Sequence, residues 1–158
     1  MDKSFSYSFI LEGEEQKVCD LVLRVFDTFV APEFSDEGVR EFKSYVTPEL
    51  FAKRLKANHF VLIAKQSNTI VGMIEMRGNH HISLLFVSLG FQKRGIGKQL
   101  FVNALTHCQT NMPTLAEVDV HSSPNAVSFY ESLGFKQNGD KQIKNGISFI
   151  PMLLKLSQ

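Results

Sequence analysis

The stretch Gln92-Lys93-Arg94-Gly95-Ile96-Gly97-Lys98 combines residue types that can hold an anion. Gly95 and Gly97 remove side chains where a ligand must approach the backbone closely. The stretch follows an apolar run, Ile82 to Val87, and opens a helical pattern with Ile96, Leu100, Phe101, Ala104 and Leu105 on one stripe. The first N–H groups of a helix have no partner inside it and the helix dipole adds positive character there, so this start suits a phosphate. Lys93, Arg94 and Lys98 supply further positive charge around it. A nucleoside-triphosphate loop requires G-x-x-x-x-G-K-[ST]. Gln92 stands where its first glycine belongs and Gln99 follows Lys98, so that pattern fails twice. The dinucleotide fingerprint fails as well, because its third glycine is replaced by Leu100. The pattern that fits is Q/R-x-x-G-x-G/A.

The elements that must position this loop follow from periodicity. The chain has 158 residues, the size of one domain, and 1–158 is read as a single domain without repeat, linker or low-complexity tract. Ser6 to Leu11 is a short strand. Glu14 to Val30 is an amphipathic helix with Val18, Leu21, Val22, Val25, Phe26 and Phe29 on one face, and Ala31 to Phe34 is a break. Asp36 to Tyr45 is a second helix. Thr47-Pro48 reads as an N-cap followed by proline at the first helical position, opening a third helix through Ala57. Strands are predicted at Phe60 to Lys65, Thr69 to Arg77 and His80 to Leu89, with turns at Ser67-Asn68 and Gly78-Asn79. The unbroken Ile82 to Val87 run suits a strand buried on both faces. A helix over Gly95 to Cys108 and a strand over Leu115 to His121 follow. A helix over Pro124 to Leu133 has Ser123 as N-cap and Gly134 as stop. Phe135 to Gln137 and Ile147 to Leu156, with an irregularity at Pro151, are the last strands. This order predicts a mixed α/β sheet with helices on both faces.

Composition narrows the partners. A net charge of +1 with one short basic spot argues against nucleic acid. No apolar run approaches the ~20 residues that span a bilayer, and the N-terminus lacks a secretory pattern, so a cytoplasmic location and no membrane partner are expected. Cys19 and Cys108 sit in apolar helical patterns and read as buried reduced thiols. No Cys/His spacing matches a zinc site. His80 and His81, neighbours on a predicted strand, point to opposite faces, so no metal is expected.

A second stretch, Ser123-Pro124-Asn125-Ala126-Val127-Ser128-Phe129-Tyr130-Glu131-Ser132-Leu133-Gly134-Phe135, contains N-A-x-x-F-Y followed by G-F. Together with the Gln92 to Lys98 loop between an apolar strand and an amphipathic helix, it resembles the GCN5-related N-acetyltransferase (GNAT) superfamily. The resemblance runs from about Phe60 to the end, and the N-terminal helices fit by order alone. Leu89-Gly90 stands where many members carry a proline or an acidic residue. The resemblance implies an acyl-coenzyme A N-acyltransferase fold of α/β (α+β) class. Its central sheet is mixed and mostly antiparallel, with six to seven strands and about four flanking helices. It further implies acetyl-CoA as co-substrate. Gln92, Lys93, Arg94, Gly95, Ile96, Gly97 and Lys98 would cradle the pyrophosphate. The backbone of Leu85, Phe86 and Val87 would pair with the pantetheine arm beside a splayed neighbouring strand. Asn125 would offer its amide to that arm, and Tyr130 would sit near the sulfur. A backbone N–H near Val87 would meet the oxyanion.

The implied reaction is direct attack of an amine on the thioester in a ternary complex. A phenol of ordinary pKa ~10 can protonate a departing thiolate of ordinary pKa ~8.5. Three residues are candidates for the general base: Glu75, His81 and His121. A histidine needs no shift to serve near neutral pH, whereas a glutamate needs a raised pKa or a water relay. In this fold Glu33 and Asp36 would border the acceptor site and attract a cationic amine. The leading expectation is acetyl transfer to a small-molecule primary amine. A protein lysine or N-terminal acetyltransferase and a non-catalytic acyl-CoA-binding module are the alternatives, and a homodimer is left open.

Overall fold

A β-hairpin-rich sheet is wrapped by helices in the computed structural model, which describes residues 4–157. In chain order the elements are β1 (Ser6–Phe9), α1 (Glu15–Phe29), a 3₁₀ turn (Ala31–Glu33), α2 (Asp36–Tyr45) and α3 (Pro48–Leu55). β2 (His59–Gln66), β3 (Thr69–Arg77), β4 (His81–Val87), α4 (Ile96–Asn111) and β5 (Glu117–Ser122) follow. A 3₁₀ turn (Pro124–Ala126), α5 (Val127–Ser132), β6 (Lys136–Gln137), β7 (Gln142–Lys144) and β8 (Ile147–Lys155) complete the chain. The sheet order is β1-β2-β3-β4-β5-β8-β6, with β7 on β8. All neighbours are antiparallel except β4 and β5.

Caps set the helix starts. Ser35 Oγ accepts the Gly38 N–H at 3.1 Å, and Thr47 Oγ1 accepts the Leu50 N–H at 3.3 Å ahead of Pro48. Two apolar layers then bury the sheet. Ile96, Leu100, Phe101, Ala104 and Cys108 of α4 pack with Ala64, Val71, Ile74 and Met76 on one face. Val18, Cys19, Leu21, Val22 and Val25 of α1 pack with Val61, Ile63 and Met73 on the other. With both faces of β2 to β4 covered, their sequences read as continuous apolar runs. Cys19 and Cys108 are free and buried, and loss of hydration pushes each thiol up to about 11, which keeps it in the unreactive form.

Several boundaries depart from the sequence reading. Among the described residues the sheet holds eight strands and there are five α-helices. The additional strand, β7, is three exposed residues, too short and polar for an alternation signal. It is held by the hairpin turn at Asn145 and Gly146, both at positive φ (54° and 80°). Ser123 holds the N-cap position of the 3₁₀ turn that precedes α5, but its side chain caps no N–H: its hydroxyl donates to Asn125 Oδ1 at 2.7 Å. Phe135 is a buried core residue rather than part of β6. Pro151 lies inside β8 between the stretches paired with β7 and β6, and its carbonyl accepts Asn138 N–H on that side. The N–H it lacks points to the same side, opposite Asn138, where the β6 pairing ends.

Two irregularities belong to β4. Glu75 pairs with Leu84 but Met76 pairs with Ile82, which leaves Ser83 as the extra residue of a bulge. On the other side β4 meets β5 through only His81↔Asp119 and Ile82↔Val120, and no pairing continues beyond. The bulge bends the strand just where it leaves its parallel neighbour.

Beneath that bulge Glu75 is wholly buried. Arg54 of α3 donates to its two oxygens at 2.8 and 3.2 Å, and His59 Nδ1 lies 2.6 Å from Oε2. Arg54 also donates to the Tyr45 carbonyl at 2.7 Å, and its guanidinium lies 3.6 Å from the Tyr45 ring centroid. Removing one partner of a buried pair strands the other charge. Arg54→Ala should therefore lower the urea-unfolding free energy by about 3 kcal/mol. Glu75→Gln added to Arg54→Ala should recover part of the loss, because no buried carboxylate then remains uncompensated.

Candidate active site

The divergence of β4 from β5 opens a cavity of about 1100 Å³ that reaches both faces of the sheet. Side chains alternate along a strand, so Ile82, Val118 and Val120 join the α4-side core while His81, Asp119 and His121 fall on the opposite face. Tyr130 and Phe129 line the cavity from the first side, and Leu84, Phe86, Phe42 and Tyr45 line it from the second.

At the entrance on the α4 side lies the Gln92 to Lys98 loop. Gly95 is left-handed at φ 81° and Lys93 at φ 61°, which turns the chain sharply into α4. The first bond inside the helix is Gln99 N–H to the Gly95 carbonyl at 3.0 Å, so the preceding N–H groups have no intrahelical partner. Gln92 reaches back, its Nε2 donating to the Val87 carbonyl at 2.5 Å, and fixes the loop to the end of β4. A Cβ on Gly97 would lie 3.1 Å from the Phe129 ring, so the glycine at this position admits α5 against α4 as well as leaving backbone bare. Gln92, Lys93, Gly95, Ile96, Gly97 and Lys98 all line the cavity, as do Leu85, Phe86 and Val87. Arg94 does not; its guanidinium lies over the Phe91 ring at 5.1 Å.

Asn125 lines the cavity from the 3₁₀ turn, and the Ser123 hydroxyl on its Oδ1 leaves the Nδ2 amide free to donate. Tyr130 is buried and clasped edge-on by Phe129 and Phe135 at 5.2 and 5.5 Å. Burial pushes its phenol well above the ordinary value, so it carries its proton throughout the neutral range.

The three base candidates part company here. Glu75 is enclosed by Arg54 and His59 and does not line the cavity. His81 and His121 both do, with rings 5.0 Å apart and edge to face. His81 Nδ1 lies 3.1 Å from Asp119 Oδ1, while His121 stacks on Phe149 at 4.4 Å. His80 sits in the turn before β4 rather than in the strand, and its Nδ1 comes within 3.7 Å of the same Asp119 oxygen. Sequence spacing alone gave no sign of this convergence, because Asp119 is contributed by the strand beyond α4. Among the described residues, no group of three or more His, Cys, Asp or Glu side chains is arranged to hold a metal ion. Glu33 and Asp36 do not line the cavity; the charged residues that do are Glu41, Arg77, Lys93, Lys98 and Lys144.

Residues 30–156 match the acetyltransferase (GNAT) domain family. The chain belongs to the GNAT acetyltransferase family. Solved structures share the fold of this acetyltransferase. A GCN5-related N-acetyltransferase from Rhodopseudomonas palustris, also described as an aminotransferase of class II, superposes with a TM-score of 0.84 at 20% identity, covering 99% of each chain. The PaiA N-acetyltransferase of Thermoplasma acidophilum, solved in complex with coenzyme A, gives 0.79 at 20% identity over 97% of this chain and 99% of that one. The ribosomal-protein-S18-alanine N-acetyltransferase of Escherichia coli gives 0.70 at 14% identity over 98% and 96%. No helix among the described residues of the acetyltransferase is long and apolar enough to cross a membrane.

Burial lowers the proton affinity of His81 and His121 below the ordinary value, against the opposing pull of Asp119. The folded-state values therefore lie under the unfolded one, and the unfolded chain binds more protons as pH falls. This stabilising contribution is complete above the unfolded value of ~6.5 and is lost as pH drops from there through the folded values. Urea-unfolding free energy should fall between about pH 7 and pH 5, and the fall should shrink in a His81→Gln/His121→Gln double variant.

Proposed function

We propose that this acetyltransferase, acting as one domain, moves the acetyl group of acetyl-CoA to a primary amine of a small molecule by direct attack. The observation that carries the reading is the parting of β4 from β5 beyond Ile82 and Val120, next to the open start of α4. The backbone of Leu85, Phe86 and Val87 on that side takes an added strand, and the pantetheine amides supply one. The N–H groups of the α4 start, with Lys93 and Lys98, hold the pyrophosphate. The Asn125 amide donates to the pantetheine arm.

His81 is the general base. Asp119 at its Nδ1 is a positioning residue, which favours the tautomer with Nδ1 protonated and leaves Nε2 to accept. The neutral amine attacks the thioester carbonyl, a C–N bond forms, and the carbon–sulfur bond breaks as the tetrahedral intermediate collapses. His81 takes the proton lost by nitrogen, and Tyr130 gives its proton to the departing thiolate. The products are the N-acetyl amide and free coenzyme A, and solvent exchange resets both side chains.

A small acceptor, rather than a protein tail in an open groove, is favoured by the roof over the second face. The β7–β8 turn lies on the start of α2, where Ser35 N–H meets the Gly146 carbonyl at 3.4 Å and a Cβ on Gly38 would collide with that carbonyl.

Isothermal titration with acetyl-CoA, coenzyme A and ATP tests the first step, and binding of the coenzyme A species alone is expected. Tyr130→Phe should retain coenzyme A affinity and lose about a hundredfold or more in kcat. His81→Gln should lose a comparable factor and abolish the acid limb of the pH–rate profile. Absence of acetyl-CoA binding at millimolar concentration would overturn the reading. Faster acetylation of a polypeptide than of any small amine would replace the acceptor class.

A further inference from the structure

The far end of the cavity carries charge that the transfer chemistry leaves unused. Arg77 closes β3 and pairs in register with His81. Lys144 closes β7 and pairs with Ile147, two residues before the Phe149 ring on which His121 stacks. Both cations line the cavity together with His81 and His121. Neither makes an ion pair among the described residues: the carboxylates that do form pairs, Asp27, Glu14, Glu75 and Asp119, are taken by other side chains. Among the described residues Glu41 is the one carboxylate on the lining, and it faces the Asn145 amide at 3.5 Å. The lining also includes Phe29, Phe34, Phe42 and Phe149, and the last of these carries the His121 ring.

Two unpaired cations on a lining rich in phenylalanine repel a second ammonium group and attract an anion. An α-amino acid places a carboxylate one carbon from its amine, and guanidinium binds carboxylate with two parallel hydrogen bonds. We propose that the acceptor is an apolar amino acid, its side chain on the phenylalanine lining and its carboxylate held by Arg77 and Lys144. This deepens the acetyl-transfer reading and rests on it, and it excludes polyamines as preferred acceptors. Burial is the main cause of the lowered proton affinity of His81 and His121, and Arg77 at both and Lys144 at His121 add to it. A bound carboxylate offsets them, so the imidazoles gain basicity once the acceptor is in place.

The test is steady-state kinetics on a panel of apolar amino acids, each beside its C-terminal amide and its decarboxylated amine, with spermidine added. The free acid should exceed its amide and amine in kcat/KM by about tenfold or more, the worth of hydrogen bonds to a charged group. Arg77→Ala/Lys144→Ala should raise KM for the acid by a similar factor and bring the acid-to-amide ratio to about one, whereas Arg77→Lys should restore most of the preference. Circular dichroism and acetyl-CoA titration of each variant establish that fold and coenzyme site are intact. Equal or better use of the amide, the amine or spermidine would overturn the proposal, as would a preference that survives the double variant or a panel with no acetylated member. Those results leave acetyl transfer standing if acetyl-CoA binds; failure of acetyl-CoA to bind would remove both.

Discussion

The contact between β4 and β5 governs the rest of the molecule. Two parallel strands normally hold each other through evenly spaced backbone hydrogen bonds, and here that ladder stops after two residue pairs. Backbone groups in a protein interior are costly to leave unpaired, so an open seam in a sheet needs support on every side. The bulge at Ser83 bends β4 away, Gln92 secures the far end of the strand, and the two apolar layers keep β2, β3 and β4 rigid behind the gap.

The seam also explains how the chemistry is divided between the faces. Alternation of side chains along β4 and β5 puts the phenol-bearing core on one side and the imidazoles on the other. Only at the seam can groups from both sides meet. The buried Arg54–Glu75–His59 cluster lies just below the bulge and links α3 to β3, and Arg54 extends it to Tyr45 on the cavity wall. A glutamate on this strand thus has a structural environment in this chain, which separates it from the cavity-lining histidines one and two strands away.

The two loops that frame the cavity work by different physical means. The α4 start relies on backbone N–H groups and on left-handed φ at Gly95 and Lys93. The β7–β8 hairpin relies on shape: Gly146 and Gly38 approach so closely that neither has room for a side chain. The first means suits an anion of fixed geometry. The second limits the room at that end of the cavity.

Sequence by itself determined what depends on local periodicity and local backbone chemistry. The order of helices and strands, the burial of β4 on both faces, the anion-ready start of α4, and the motif carrying Asn125 and Tyr130 were all readable, because each is encoded within a dozen neighbouring residues. β7 was not readable, since three exposed residues carry no alternation. The environments of Glu75 and His81 were not readable either. Arg54 and His59 reach Glu75 from other elements, and Asp119 reaches His81 across a whole helix, so their meeting depends on strand register and sheet order. The pairing of cations on the cavity lining belongs to the same class: Arg77 and Lys144 lie 67 residues apart in the chain and come to one cavity only because β3 and β7 both end beside it.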